Sequence, residues 1–461
     1  MNRKHLALLA FLSSLICFSS VFSQETTKEI AQSKEIAQSK EVAQSNASID
    51  IAVLSSQQQI ISDQTQTMFL KVALKGKTIE TKNRPRLNIA LVIDRSSSMS
   101  GDRIIQAKIA SKQVLDLLST DDIFSLISYD NDAEVLVPAT KIGNRQKIEK
   151  MIDALSPRGS TALYAGVQAG GTEIKKFFDQ NQVNRVILLS DGQANIGPSS
   201  PSVLGDLGRE LGGKGISVST IGLGLGYNED LMTQLAIQSD GNHAFVETPD
   251  QLSKFMSLTF GTALAVVGQQ IELEVELPKG LKAIKTYGRN AKIEGQKVKT
   301  WMNQVISNYE TYLLIEVEVQ AQSQQNQMEI AQYRLKYQDS ILKKEVAIVQ
   351  NVYLPMAAKG SPVVENEDVK VDAIELQMNE RNKEALELRD RGDVQAAKAL
   401  LDRNSNEISG YQKKYKNAPK LKKLEESNLE DTKNIENEGE WQRSRKAMKK
   451  KQFSFDNQQA F

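Results

Sequence analysis

Leu91-Val92-Ile93-Asp94-Arg95-Ser96-Ser97-Ser98-Met99 is an apolar run ending in a carboxylate and two hydroxyls at alternate positions, and Gly101 then opens an amphipathic helical pattern. The apolar residues read as a buried strand. Asp94, Ser96 and Ser98 therefore face one point at the carboxyl end of that strand, where open α/β sheets bind ligands. Their oxygens are hard donors of the kind that suit Mg²⁺, which prefers octahedral oxygen coordination and usually keeps several waters.

Around this stretch, apolar strands at 88–93, 123–129, 185–190 and 216–222 alternate with helical patterns at 102–118, 144–155, 162–178, 203–213, 229–239 and 249–264. Near-continuous apolar strands between helices indicate a mostly parallel sheet covered on both faces. Right-handed crossovers make its layout doubly wound. The fold class is thus α/β, with this unit spanning 86–265.

The flanks are patterned differently. Met68, Leu70, Val72 and Leu74 alternate with other residues, as do Ile271, Leu273, Val275 and Leu277 against glutamine and glutamate, and then Leu313, Ile315, Val317 and Val319. Period-two alternation indicates half-buried antiparallel sheet. A β-sandwich built from 48–85 and 266–360, with the α/β unit inserted between, accounts for both flanks. Residues 361–445 become charged and helical, and Ala385-Leu386 through Leu400-Leu401 resembles one tetratricopeptide-type hairpin. A single copy is too short for a solenoid, so a helical hairpin capping the sandwich is expected. Residues 446–461, with the lone triplet Lys449-Lys450-Lys451, read as a disordered, solvated tail.

Of the 461 residues, Lys+Arg 58 against Asp+Glu 57 leaves a formal charge of +1, an overall balance that argues for neither nucleic acid nor an anionic membrane as partner. Residues 1–23 carry Arg3 and Lys4, an apolar run and Val21-Phe22-Ser23, and read as a secretory signal peptide cut before Gln24. Ile16 is too large for a lipoprotein signal at Cys17. Export is therefore expected, to a periplasmic, cell-surface or secreted location. Cys17 is the chain's one cysteine, so the exported protein has neither disulfides nor thiolate chemistry. No later apolar stretch is long enough to cross a bilayer. Residues 24–47 hold three hexapeptide copies (KEIAQS, KEIAQS, KEVAQS) and read as a polar linker. With His5 removed, His243 is the only imidazole, and a Ser-His-Asp triad would have to use it. It reads instead as a structural histidine on a late strand.

Two further segments join the first. Arg158-Gly159-Ser160-Thr161-Ala162-Leu163 places Thr161 before a helix, and Leu188-Leu189-Ser190-Asp191-Gly192 ends an apolar strand on a carboxylate. In a doubly wound sheet all three lie at one edge, where strand order reverses. Gly222-Leu223-Gly224-Leu225-Gly226 lacks the Lys-Ser/Thr of a phosphate-binding P-loop, and Gly212-Gly213-Lys214-Gly215 reads as a helix stop. Taken together, 86–265 resembles a von Willebrand factor type A domain over its full length. Met99, Asp121-Asp122, Gly222-Leu223-Gly224, the Gly241 to Phe245 strand and the helix Gln251–Leu264 also fit that family. The wider layout is similar to secreted bacterial members and to inter-alpha-trypsin inhibitor heavy chains. Ser97 departs from the glycine common there, so a stiffer loop is expected.

The resemblance implies a metal-ion-dependent adhesion site. Ser96 and Ser98 would ligate Mg²⁺ (or Mn²⁺ or Ca²⁺) directly, Thr161 would do so in the ligand-engaged state, and Asp94 and Asp191 would act largely through water. Neutral hydroxyls leave the cation incompletely neutralised, which favours completion of its coordination by an Asp or Glu carboxylate of a protein partner. The expected function is thus non-enzymatic, metal-dependent, adhesion-type protein binding. The alternative is a metal-independent structural or assembly scaffold of the cell envelope. Metal-assisted hydrolysis through Asp94 and Asp191 lacks an evident further general base. Related domains couple their last helix to the metal site. Here helix 249–264 leads almost directly into the sandwich strand near Gln269, which would link partner binding to domain orientation.

Overall fold

The computed structural model describes residues 47–78 and 84–458. The expected signal peptide, and all of the expected linker except Ala47, lie outside the described residues.

The described chain opens with β1 (Ile49–Ser55), β2 (Ile60–Ile61) and β3 (Gln66–Gly76). The α/β unit follows with β4 (Leu87–Asp94), α1 (Asp102–Leu117), β5 (Ile123–Tyr129), β6 (Ala133–Lys141), α2 (Arg145–Asp153) and α3 (Leu163–Lys175). It continues through β7 (Val183–Ser190), α4 (Pro201–Gly212), β8 (Ile216–Leu223), α5 (Glu229–Gln238), β9 (His243–Val246) and α6 (Pro249–Leu264). Its sheet runs β6-β5-β4-β7-β8-β9, parallel except for β6. Two separate cores cover the faces. Ala107, Val114, Ile152, Leu252 and Met256 pack on one side, and Val167, Leu207, Leu231 and Leu235 on the other. β4, buried on both faces, is therefore apolar at nearly every position. Strand β6, which the apolar-run reading does not single out, is an antiparallel edge strand and carries Pro138, a residue tolerated at edges.

Next come β10 (Val266–Glu276), β11 (Leu281–Gly288), β12 (Ala291–Glu294) and β13 (Lys297–Ile306). β14 (Glu310–Val319), β15 (Gln327–Asp339) and β16 (Lys344–Ala357) complete the strands. They form sheets β1-β3-β14-β11 and β12-β13-β10-β15-β16-β2, so strands from before and after the α/β unit share both sheets. The alternating residues Leu70, Val72, Leu273, Val275, Ile315 and Val317 fill the core between them. Both junctions to the inserted unit meet at the β13–β14 turn. Ser307 N donates to Ala265 O at 2.8 Å and Asn308 N to Gly76 O at 2.9 Å. A Cβ on Gly76 would lie 2.2 Å from Ile306 O, which reserves that position for glycine.

Four helices close the fold: α7 (Glu367–Asp390), α8 (Val394–Lys414), α9 (Pro419–Asn434) and α10 (Trp441–Asn457). Val369, Ala373 and Leu376 of α7 pack on Ala73, Tyr312 and Leu314, covering the outer face of the smaller sandwich sheet. The expectation of a disordered tail over 446–461 is corrected over its described part, 446–458, because α10 runs to Asn457 with Met448 and Phe453 buried. Lys446, Lys449 and Lys451 are held by carboxylates on other elements. Lys451 pairs with Glu430 at 2.6 Å and Lys449 with Asp230 at 3.1 Å, so a run that looks solvated in isolation is anchored.

Candidate metal-binding site

Adjacent parallel strands β4 and β7 run in register, Ile93 beside Leu189, so Asp94 and Ser190 emerge together with Asp191 one step beyond. Both carboxylates are fully buried. Ser96 N donates to Asp94 Oδ1 at 2.8 Å, and Ser190 Oγ to Asp94 Oδ2 at 2.6 Å. Tyr129 OH reaches the same Oδ2 at 3.3 Å. A single 3₁₀ turn, Ser97–Met99, then carries Ser98 back over the sheet edge. Ser98 Oγ donates to Asp191 Oδ1 at 2.9 Å and lies 3.0 Å from Ser96 Oγ. Arg103 Nη1 donates to Asp191 Oδ2 at 2.5 Å.

Thr161 enters from the loop before α3. Its N donates to Asn195 Oδ1 at 2.8 Å, and its carbonyl accepts from Asn195 N at 3.1 Å. A Cβ on Gly192 would lie 3.1 Å from Thr161 Oγ1 and 3.3 Å from Ser98 Oγ, so the two hydroxyls flank one small space that glycine leaves open. The three predicted segments thus meet. Residues of neighbouring loops hold them there. Asp130 Oδ2 accepts from Arg95 Nε at 3.0 Å and from Arg158 Nε at 2.7 Å. Ser97 donates its N and Oγ to Gly159 O, at 3.1 and 3.0 Å, which gives the serine at this position its own stapling role.

The sequence profile of the von Willebrand factor type A domain matches residues 88–257. This segment is a von Willebrand factor type A domain. Such domains mediate protein interactions and often bind a divalent metal. An uncharacterised Escherichia coli protein, YfbK, is 26% identical over 213 residues, 46% of this chain and 37% of its own length. An uncharacterised Synechocystis protein is 26% identical over 302 residues, 63% of this chain and 71% of its own. Human inter-alpha-trypsin inhibitor heavy chain H3 is 28% identical over 163 residues, 33% of this chain and 18% of the heavy chain. This chain therefore spans well under half of the first and third of these relatives. Among solved structures, a von Willebrand factor type A protein of Catenulispora acidiphila superimposes with a TM-score of 0.64 at 15% identity, covering 85% of this chain and 90% of its own. The ArnB paralog VWA2 of Sulfolobus acidocaldarius gives a TM-score of 0.59 at 16% identity, covering 90% and 100%. At these identities the likeness shows the fold.

Within the von Willebrand A domain, burial raises the Asp94 carboxyl above its ordinary range, against the hydrogen bonds from Ser190 and Ser96 and with the charge of Asp191 adding to the rise. For Asp130 burial acts the same way, but the Arg158 hydrogen bond and the Arg95 charge outweigh it and hold the carboxyl low. Among the described residues no group of three or more His, Cys, Asp or Glu gathers as a metal cage. The donors at this edge are instead two carboxylates and three hydroxyls. Such an all-oxygen set fits a hard cation such as Mg²⁺ rather than a soft one. Ser98 is exposed, so the space between the hydroxyls opens outward.

Four further residues shape the site. Ser190 is the last residue of the β7 strand, and its hydroxyl bonds Asp94. Tyr129 ends β5 and Asp130 follows it, and their position at the carboxyl end of a strand is the available signal. Arg103 is hidden in a helical pattern. His243 is buried on β9, with Nδ1 2.8 Å from Thr220 Oγ1, and is a structural histidine. The glycine-rich loop after β8 borders the site, since a Cβ on Gly226 would lie 2.7 Å from Asp191 O.

Proposed function

We propose that this protein is an exported, non-enzymatic, adhesion-type binding protein whose von Willebrand A domain engages a protein partner through a divalent metal. Ser96 and Ser98 would hold the metal through their hydroxyls, Thr161 would join when a partner is engaged, and Asp94 and Asp191 would act largely through water. Bound there, Mg²⁺, Mn²⁺ or Ca²⁺ would supply a Lewis-acidic position for an Asp or Glu carboxylate of the partner. The observation that carries this reading is the convergence of Ser96, Ser98, Thr161, Asp94 and Asp191 at one outward-opening space preserved by Gly192. Binding is favoured over hydrolysis because His243 is buried and bonded to Thr220, away from the metal-site segments. The signal-like residues 1–23 support export, and no helix among the described residues is long and apolar enough to cross a membrane.

Thermal unfolding in EDTA and then in each cation, with Asp94→Ala as control, tests the metal. At ~100 times its dissociation constant a metal adds about 2.7 kcal/mol. For a domain of this size that raises the melting temperature by roughly 5–11 °C. A rise absent from Asp94→Ala supports the reading. No rise with any cation would favour the metal-independent scaffold.

A further inference from the structure

Asp94 and Asp191 are satisfied in different ways. Asp94 accepts from uncharged donors, whereas Asp191 Oδ2 accepts from the Arg103 guanidinium at 2.5 Å. The same Nη1 donates to Ser98 O at 2.9 Å, so one cationic group bridges two of the segments that form the site. The carboxylate is fully buried, while the arginine side chain is 40% exposed and has solvent on its outer side. Its inner side rests on the loop after β8, where a Cβ on Gly224 would lie 3.3 Å from Arg103 Nε. That loop is held in turn by α10, through Lys446 Nζ donating to Tyr227 O at 2.8 Å.

We propose that Arg103 is a resident counter-cation that competes with the divalent metal for Asp191. The role rests on the metal reading given above. Without a metal, Arg103 offsets the repulsion between two neighbouring buried carboxylates. With a metal, the guanidinium swings outward and gives up its bonds to Asp191 and Ser98. The loss of those bonds weakens metal binding, and linkage makes the antagonism reciprocal. Arg103 therefore has opposite effects on the metal-free fold and on metal affinity. An arginine that only braces α1 would affect the first alone.

The test is Mg²⁺ titration calorimetry with thermal unfolding in EDTA, on the wild type and on Arg103→Gln. Arg103→Gln is expected to melt lower in EDTA and to bind Mg²⁺ about ten-fold tighter, the scale of removing a unit charge a few ångströms away in a partly solvated site. Its melting temperature should approach the wild type's at saturating Mg²⁺. Mg²⁺ affinity equal to or weaker than wild type in Arg103→Gln overturns the role of Arg103 and leaves the metal reading standing. Absence of Mg²⁺ binding to the folded wild type overturns both. A second measurement needs only the wild type. The arginine Nε resonance assigned to Arg103, by its loss in Arg103→Lys, should move toward that of a free guanidinium on adding Mg²⁺. A resonance unmoved at saturating Mg²⁺ overturns the proposal even if Arg103→Gln does not fold.

Discussion

At Asp130 one carboxylate receives two guanidinium groups through Oδ2, while its Oδ1 accepts from Asn131 N at 2.6 Å. It thereby fixes the loop that carries Thr161 relative to the loop that carries Ser96 and Ser98. Burial opposes its ionisation, but the Arg158 and Arg95 contacts win and its pKa lies below the ordinary value. A depressed carboxylate pKa contributes stability that is present above the unfolded-state value, near 3.9, and lost as pH falls through the folded one. Asp130→Asn is therefore expected to cost about 2 kcal/mol at pH 7, from charged hydrogen bonds lost and arginines left unpaired. The deficit should begin to shrink as pH falls below the unfolded-state value, because the unfolded wild type then binds a proton that the folded carboxylate still resists. Urea unfolding at pH 7 and pH 3.5 measures both. Asp94, Ser96, Ser98, Thr161 and Asp191 were legible because each stands in a short local pattern. Asp130 and Arg103 were not, because their partners come from other elements and neither sits in a recognisable motif.

Lys71 shows what alternation reveals about an element and what it conceals. Between Leu70 and Val72 it reads as an outward residue on a solvated sheet face, and it does point outward. That face is covered by α7, so Lys71 is buried and pairs with Asp372 at 2.7 Å, beside the Tyr312 ring. Asp372 also accepts from Lys420 of α9 at 2.5 Å, joining strand and two helices. Without Asp372 the buried Lys71 would keep only the half-exposed Glu310 carboxylate, 2.6 Å away, and Lys420 would lose this contact. Asp372→Ala should thus lower stability by about 3 kcal/mol in denaturant titration. Replacing the pair, with Lys71→Met and Asp372→Leu together, should cost less than that single change, because a buried ion pair contributes little beyond well-packed apolar residues. A more costly double variant would mean the pair itself stabilises the sheet-to-helix contact. The strands and helices of the α/β unit were legible because their cores are built from local apolar runs. A helical cap on the sandwich was legible from the charged, helical composition after residue 361, but its buried polar partner for Lys71 was not, because Asp372 lies some 300 residues away in sequence.

At the scale of the whole molecule, α10 closes the chain back onto the von Willebrand A domain. Arg445 pairs with Glu229, with Asp230 at 2.8 Å and with Asp390 at 2.8 Å, tying α5 and α7 together, and Lys446 adds a buried contact to Glu229. Beneath these pairs His243 of β9 packs edge-on to Phe453 of α10, with ring centroids 5.9 Å apart. Burial first, then the positive charges of Lys450 and Lys446, depress the His243 pKa to about 3. The unfolded chain binds that proton near pH 6.5, so the histidine's contribution is complete above pH 6.5 and is lost as pH falls toward the folded value. Between pH 6 and pH 4 this one group should lower stability by about 1.4 kcal/mol per pH unit. His243→Asn removes the titration and can keep a polar contact to Thr220, so its stability should fall less steeply over that interval, although it starts lower at pH 7. Because His243 lies at the contact between β9 and α10, amide hydrogen exchange in wild type at pH 5 should quicken first in those two elements. Equal pH slopes for the two proteins would show that the histidine is protonated without cost in the fold. Equal slopes would also remove the acid-sensitive step from the closure of the chain by α10.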